Sequence, residues 1–186
     1  MEIFIWSFLI VFMLHNLEEI ITIEKWFMFT YPRVNNRIPS IAQAVITKNK
    51  VTTVKFAMTV FVFSIIASSL IFLTITTEYY FLFWGLNLFF ALNIFLHPIQ
   101  SLFLRCYTPG LWTTVCLILP YNIWIFYHFS ISGVFTITMF MYAAIVMILL
   151  VPLFALSHII ANKWESSKES SKENSPISNI NQNNPS

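Results

Sequence analysis

The chain has 186 residues, 58% of them apolar and only 10% charged. A soluble domain is usually about a quarter charged, so the composition excludes an ordinary water-soluble protein. A net charge of +2 with no basic–aromatic patch also argues against a nucleic-acid binder.

A spanning helix needs roughly 20 mostly apolar residues, and the apolar part of the chain holds about five. The first runs from Ile3 to about Ile23 and ends at Glu24-Lys25-Trp26, a charged and aromatic boundary of the headgroup kind. It begins Met1-Glu2-Ile3 with no positive n-region and no A-x-A-like site, so it reads as a retained span rather than a cleaved signal. A loop follows, about Lys25 to Thr53, with Pro32, Pro39 and Asn35-Asn36 as turn formers. Within it Ser40 is a fair N-cap for a short helix over Ile41–Ile46.

The second span is about Val54 to Ile75, closed by Glu78-Tyr79-Tyr80. The third, about Phe81 to Leu104, carries Asn87, Asn93, His97, Pro98 and Gln100. Pro98 is expected to open the helix near Ile94, four residues back. Cys106 to Gly110 is a tight turn ending in Pro-Gly. The fourth span is about Leu111 to Phe129, with Pro120 inside it, and the fifth about Val134 to Ile160. Cys106 and Cys116 have no metal-ligand spacing and read as reduced, buried, small apolar residues.

These elements predict an all-α, polytopic membrane helical bundle of about five transmembrane helices over residues 1–161, followed by a disordered polar tail over 162–186. Six of the ten Lys and Arg residues lie in or beside the first loop, Arg105 follows the third span, and Lys163, Lys168 and Lys172 follow the fifth. With five spans all three regions share one face. The positive-inside rule then places the N-terminus outside and the C-terminus on the cytoplasmic side of a cell membrane. The lipid bilayer is the expected partner.

Polar groups within the spans are expensive and mark function by default. His15, Glu18 and Glu19 stand at i, i+3 and i+4, on one helix face. His15 is roughly 18 Å along the first span and Asn93 roughly 18 Å along the third, with His97 one turn deeper, at 1.5 Å per residue. Two helices thus carry their polar faces at one cytoplasm-proximal depth. Adjacent carboxylates oppose joint ionisation and call for a cation, protons or a wet cavity. A site of His15, His97 and either Glu18 or Glu19 would suit Zn²⁺, Fe²⁺ or Mn²⁺, with room for water. The other glutamate could then act as general base. Asn93, Gln100 and Tyr107 are expected to line that site. His128 and His158 read as interface residues.

His15-Asn16-Leu17-Glu18-Glu19 resembles the motif that names the HXXEE domain proteins, small prokaryotic multi-span membrane proteins of undetermined function. Asn93 to His97, Gln100-Ser101 and Tyr107 to Leu111 resemble that family's second signature region, so the likeness covers about Ile3 to Tyr127. Pro98 directly after His97 departs from the pattern. The resemblance implies that His15, Glu18, Glu19, Asn93, His97, Tyr107, Pro109 and Gly110 matter; it implies no reaction. The leading functional expectation is a metal-dependent membrane hydrolase acting on a membrane-dissolved substrate. A proton- or cation-binding transporter and a structural membrane subunit are the alternatives.

Overall fold

A computed structural model describes residues 2–40, 43–44, 46, 51–133 and 136–173, with side chains to residue 167. Among them the chain is all-α, and five helices are long and apolar enough to cross a membrane. They are α1 (Glu2–Phe29), α2 (Thr53–Thr77), α3 (Tyr80–Leu104), α4 (Leu111–Ile131) and α5 (Ile137–Glu173). In hydrocarbon every backbone polar group must be satisfied within its own segment, which long helices achieve. Hydroxyls on these helices bond back one turn, as Thr22 to Glu18 O and Ser64 to Val60 O do. The outward faces are apolar, with Leu102, Ile137 and Ile3 widely exposed, as a lipid-facing surface requires.

Bonds at one end fix the alternation of the helices. Glu24, near the C-terminus of α1, accepts from Thr53 N–H at the start of α2 (3.0 Å). Trp26 Nε1 donates to Tyr107 O (2.6 Å), just past α3, and Arg37 donates to Leu104 O (2.6 Å). Lys55 pairs with Glu165 near the C-terminal end of α5 (3.1 Å). The starts of α1 and α5 and the C-terminal part of α4 gather at the other end, where Phe4 packs on Trp124 and His128, and Phe81 on Tyr142. Every Lys and Arg among the described residues therefore lies toward one end.

Several boundaries differ from expectation for a common reason. Glu24 and Trp26 lie inside α1, and both side chains bond to groups outside that helix. Similarly α5 continues past Asn162, where the polar tail is expected to begin, and Glu165 there is held by Lys55 and Thr52. Residues 174–186, and half of the short helix expected over Ile41–Ile46, lie outside the described residues. Neither cysteine is buried: Cys106 is half-buried and Cys116 exposed on the outer side of α4.

Two prolines shape the helices next to the site. Around Leu92, two residues before Ile94, α3 tightens to three-residue bonding: Leu92 N–H donates to Phe89 O and Phe95 N–H to Leu92 O. The adjustment falls in the turn preceding the Ile94 carbonyl that Pro98 cannot satisfy. In α4, Thr114–Ile118 is a π-turn closed by Leu119 N–H to Thr114 O. Pro120 lacks an N–H and its ring would press on the Cys116 carbonyl, so the wider turn relieves both problems.

Aromatic rings fill the bundle interior. Phe8 meets Phe83 and Phe90 edge to face, and Trp84 meets Phe129 at 90°. Gly85 supplies the close approach of α3 to α5. A Cβ there would lie 2.4 Å from Val146 Cβ and 2.8 Å from Ala143 O. Small residues at such crossings let membrane helices pack backbone to backbone. Gly85→Leu should therefore destabilise the bundle by on the order of 3 kcal/mol through overpacking, read as a lower unfolding temperature in detergent.

Candidate functional site

The site forms where α1, the second half of α3 and the start of α4 meet. Thr108-Pro109-Gly110-Leu111 makes the turn into α4. Gly110 sits at φ 84, ψ −7, and Leu111 N–H donates to Thr108 O at 3.2 Å. That is a type II turn, with proline pre-set at its second position and glycine required at its third. The turn is pinned by Trp26 to Tyr107 O, by Ser101 to Cys106 O (2.6 Å) and by Thr108 to the His97 carbonyl (3.4 Å).

Gly110 is also the N-cap of α4 and has no side chain with which to cap it. The first N–H groups of a helix lack partners within it. Glu18 of α1 supplies the acceptor from outside. Its Oε2 accepts from Thr113 N–H (2.7 Å) and Thr113 Oγ1 (2.5 Å), and its Oε1 from Tyr107 Oη (2.5 Å) and Trp112 N–H (3.3 Å). A carboxylate at this position also meets the positive end of the helix dipole. Burial and the bond to Glu18 push the Tyr107 phenol up to about 12, so it stays protonated and donates.

Glu19 is the next residue but projects about 100° further round the helix, away from α4 and toward the histidines. Its Oε2 lies 3.8 Å from His15 Nε2 and its Oε1 3.4 Å from His97 Nε2. His15 is 2% exposed and His97 8% exposed, and their rings stand 5.1 Å apart. One ligand atom each from His15, Glu19 and His97 falls within 4.8 Å of the others. In a tetrahedral zinc site with bonds near 2.0–2.1 Å, ligand atoms are about 3.4 Å apart. The three would have to draw together from separations of up to 4.8 Å to hold an ion. The other ring nitrogen of His15, Nδ1, lies 2.8 Å from Thr113 Oγ1. That of His97 makes no hydrogen bond among the described residues.

The rings are packed against the Pro-Gly turn. A Cβ on Gly110 would lie 2.7 Å from His97 Cε1 and 2.9 Å from His15 Cε1. On the open side, Glu19 and His97 front a cavity of about 720 Å³. Asn16, Asn93, Gln100 and Thr108 are its polar lining; Phe63, Phe89, Phe90 and Phe154 are among its apolar walls.

The structure thus brings together His15, Glu19 and His97. It joins Glu18 to Tyr107 instead, and leaves Asn93 and Gln100 on the cavity wall. His158 is elsewhere, its Nδ1 3.2 Å from Thr59 Oγ1, and His128 sits among Phe4, Trp124 and Tyr127 at the far end. Thr113 is the residue that spacing overlooks. The signal available for it was indirect: a helix starting on glycine has uncapped N–H groups, and a nearby acidic residue is their natural acceptor.

The family described as "Protein of unknown function with HXXEE motif" matches residues 6–125. No curated protein and no solved structure matches the chain.

Proposed function

We propose that this chain, which belongs to the HXXEE family, holds a divalent metal on His15, Glu19 and His97 and acts as a hydrolase-like membrane enzyme. The observation that carries this reading is the buried convergence of two imidazoles and one carboxylate at the head of a largely apolar cavity. Two nitrogens and one oxygen suit zinc, and equally ferrous iron or manganese. Three protein ligands leave an open position, as catalytic sites do. When bound, the ion would supply Lewis acidity toward a carbonyl or a water.

The protein's own groups divide the remaining work. Glu19 ligates through one oxygen, and its second oxygen is the nearest carboxylate acceptor for a proton. Glu18, whose two oxygens already accept four bonds, orients α4 rather than serving as base. The apolar cavity walls select a substrate dissolved in the membrane, and Asn93 and Gln100 offer amides to its polar end. We further propose that the N-terminus faces outward and the C-terminus the cytoplasm, since the positive charges gather at one end.

The test is elemental analysis of protein purified in detergent, followed by chelation, reloading and assay on an acyl ester dissolved in liposomes. About one ion per chain and turnover restored only on reloading are expected. Absence of stoichiometric metal from every preparation would sink the reading.

A further inference from the structure

Thr113 Oγ1 has a single proton and two close partners, Glu18 Oε2 at 2.5 Å and His15 Nδ1 at 2.8 Å, with the Gly110 carbonyl more distant at 3.4 Å. Which partner receives the proton follows from the surroundings. Two backbone N–H groups, which can only donate, already point at the Glu18 carboxylate, and the Tyr107 hydroxyl adds a third donor. An ionised carboxylate is acceptor-only, and three donors aimed at Glu18, two of them N–H groups at the positive end of α4, favour that form. The Thr113 hydroxyl therefore donates to Glu18. Its lone pair is what His15 meets, and Nδ1 must carry the hydrogen. In a neutral imidazole the other nitrogen is then bare. That nitrogen, Nε2, is the one on the Glu19 side.

We propose that the Glu18–Thr113–His15 chain fixes His15 as its Nδ1–H tautomer and so presets Nε2 as a metal ligand. The inference rests on the metal-site reading and assigns Thr113 and Glu18 as positioning residues. The two histidines are not equivalent in this respect. His97 has no hydrogen-bonded partner at Nδ1, and the backbone group that its ring meets is the Pro109 carbonyl. His15 is the ligand that its own hydrogen-bond chain presets. The chain also ties the metal site to the docking of α4, because Glu18 satisfies the first N–H groups of α4 through the same carboxylate that orients Thr113. Outer partners of metal-bound histidines typically contribute 10–100-fold in affinity by this means.

The experiment compares wild type, Thr113→Val and Thr113→Ser in detergent, by zinc competition against a chromogenic chelator and by ¹⁵N NMR of histidine-labelled, metal-free protein. The expected result is an Nδ1–H signature for His15 in wild type and Thr113→Ser. Loss of that single tautomer, with zinc affinity about 10–100-fold weaker, is expected in Thr113→Val. A merely structural threonine would move stability in both variants without changing the tautomer. An Nε2–H signature for His15 in wild type, or unchanged affinity in Thr113→Val, would overturn the proposal. If wild type takes up no zinc, the metal reading fails; the NMR measurement still decides whether the chain sets the tautomer.

Discussion

Glu19→Gln is expected to strip the purified protein of stoichiometric metal, while Glu18→Gln retains it at reduced affinity and loses stability instead. The two residues are neighbours in sequence and differ in what surrounds them. Glu19 is the carboxylate between His15 Nε2 and His97 Nε2. An amide there removes the negative charge that offsets a divalent ion and turns an NH₂ group toward one imidazole. The loss should exceed the roughly 10–100-fold typical of an outer partner. Glu18 instead faces four donors from Tyr107, Trp112 and Thr113. Glutamine has one acceptor oxygen, so its NH₂ must oppose one pair of those donors. Leaving such groups unsatisfied costs about 1–3 kcal/mol each, and the start of α4 should loosen. Thermal unfolding in detergent and zinc competition separate the two variants. Metal lost in Glu18→Gln and kept in Glu19→Gln would reverse the assignment.

Gly110→Ala should damage fold and site together. Its φ of 84 lies in the left-handed region, which costs an L-residue roughly 1–2 kcal/mol. The added Cβ would also press on both imidazoles, at 2.7 and 2.9 Å. One or both rings must shift, away from the geometry that brings their Nε2 atoms to Glu19. Gly133→Ala is the control. It shares the positive φ, at 69, but its Cβ would meet nothing within 4 Å. Both variants should unfold at lower temperature, and only Gly110→Ala should bind zinc more weakly. Equal zinc affinity in the two would show that Gly110 serves the turn alone.

Much of this architecture is legible in the sequence because lipid imposes simple rules. Apolar length reveals five spans, and the gathering of Lys and Arg at one end follows from their number. The meeting of His15 with His97 is legible from depth and from i, i+4 spacing, since two polar faces in one layer must find each other or remain unpaired. What is not legible is which of two adjacent glutamates faces the histidines. They lie on the same broad face, and only the position of the α4 N-terminus separates them. Thr113 stays hidden for the same reason: its role depends on Glu18 and His15 from another helix, and a threonine in a helix ordinarily bonds its own backbone. Helix ends were less legible, because Glu24 and Glu165 bond to groups on other elements and their helices run on past the expected boundaries. The π-turn of α4 follows from Pro120, but its placement directly after Thr113 required the three-dimensional arrangement.

The most direct measurement is X-ray absorption at the zinc edge on protein loaded with one equivalent of zinc, in wild type and His97→Ala. The account predicts a shell of two imidazole nitrogens and carboxylate oxygen at about 2.0–2.2 Å in wild type, with one imidazole lost in His97→Ala. A shell of oxygen alone, or a spectrum that His97→Ala leaves unchanged, would contradict it.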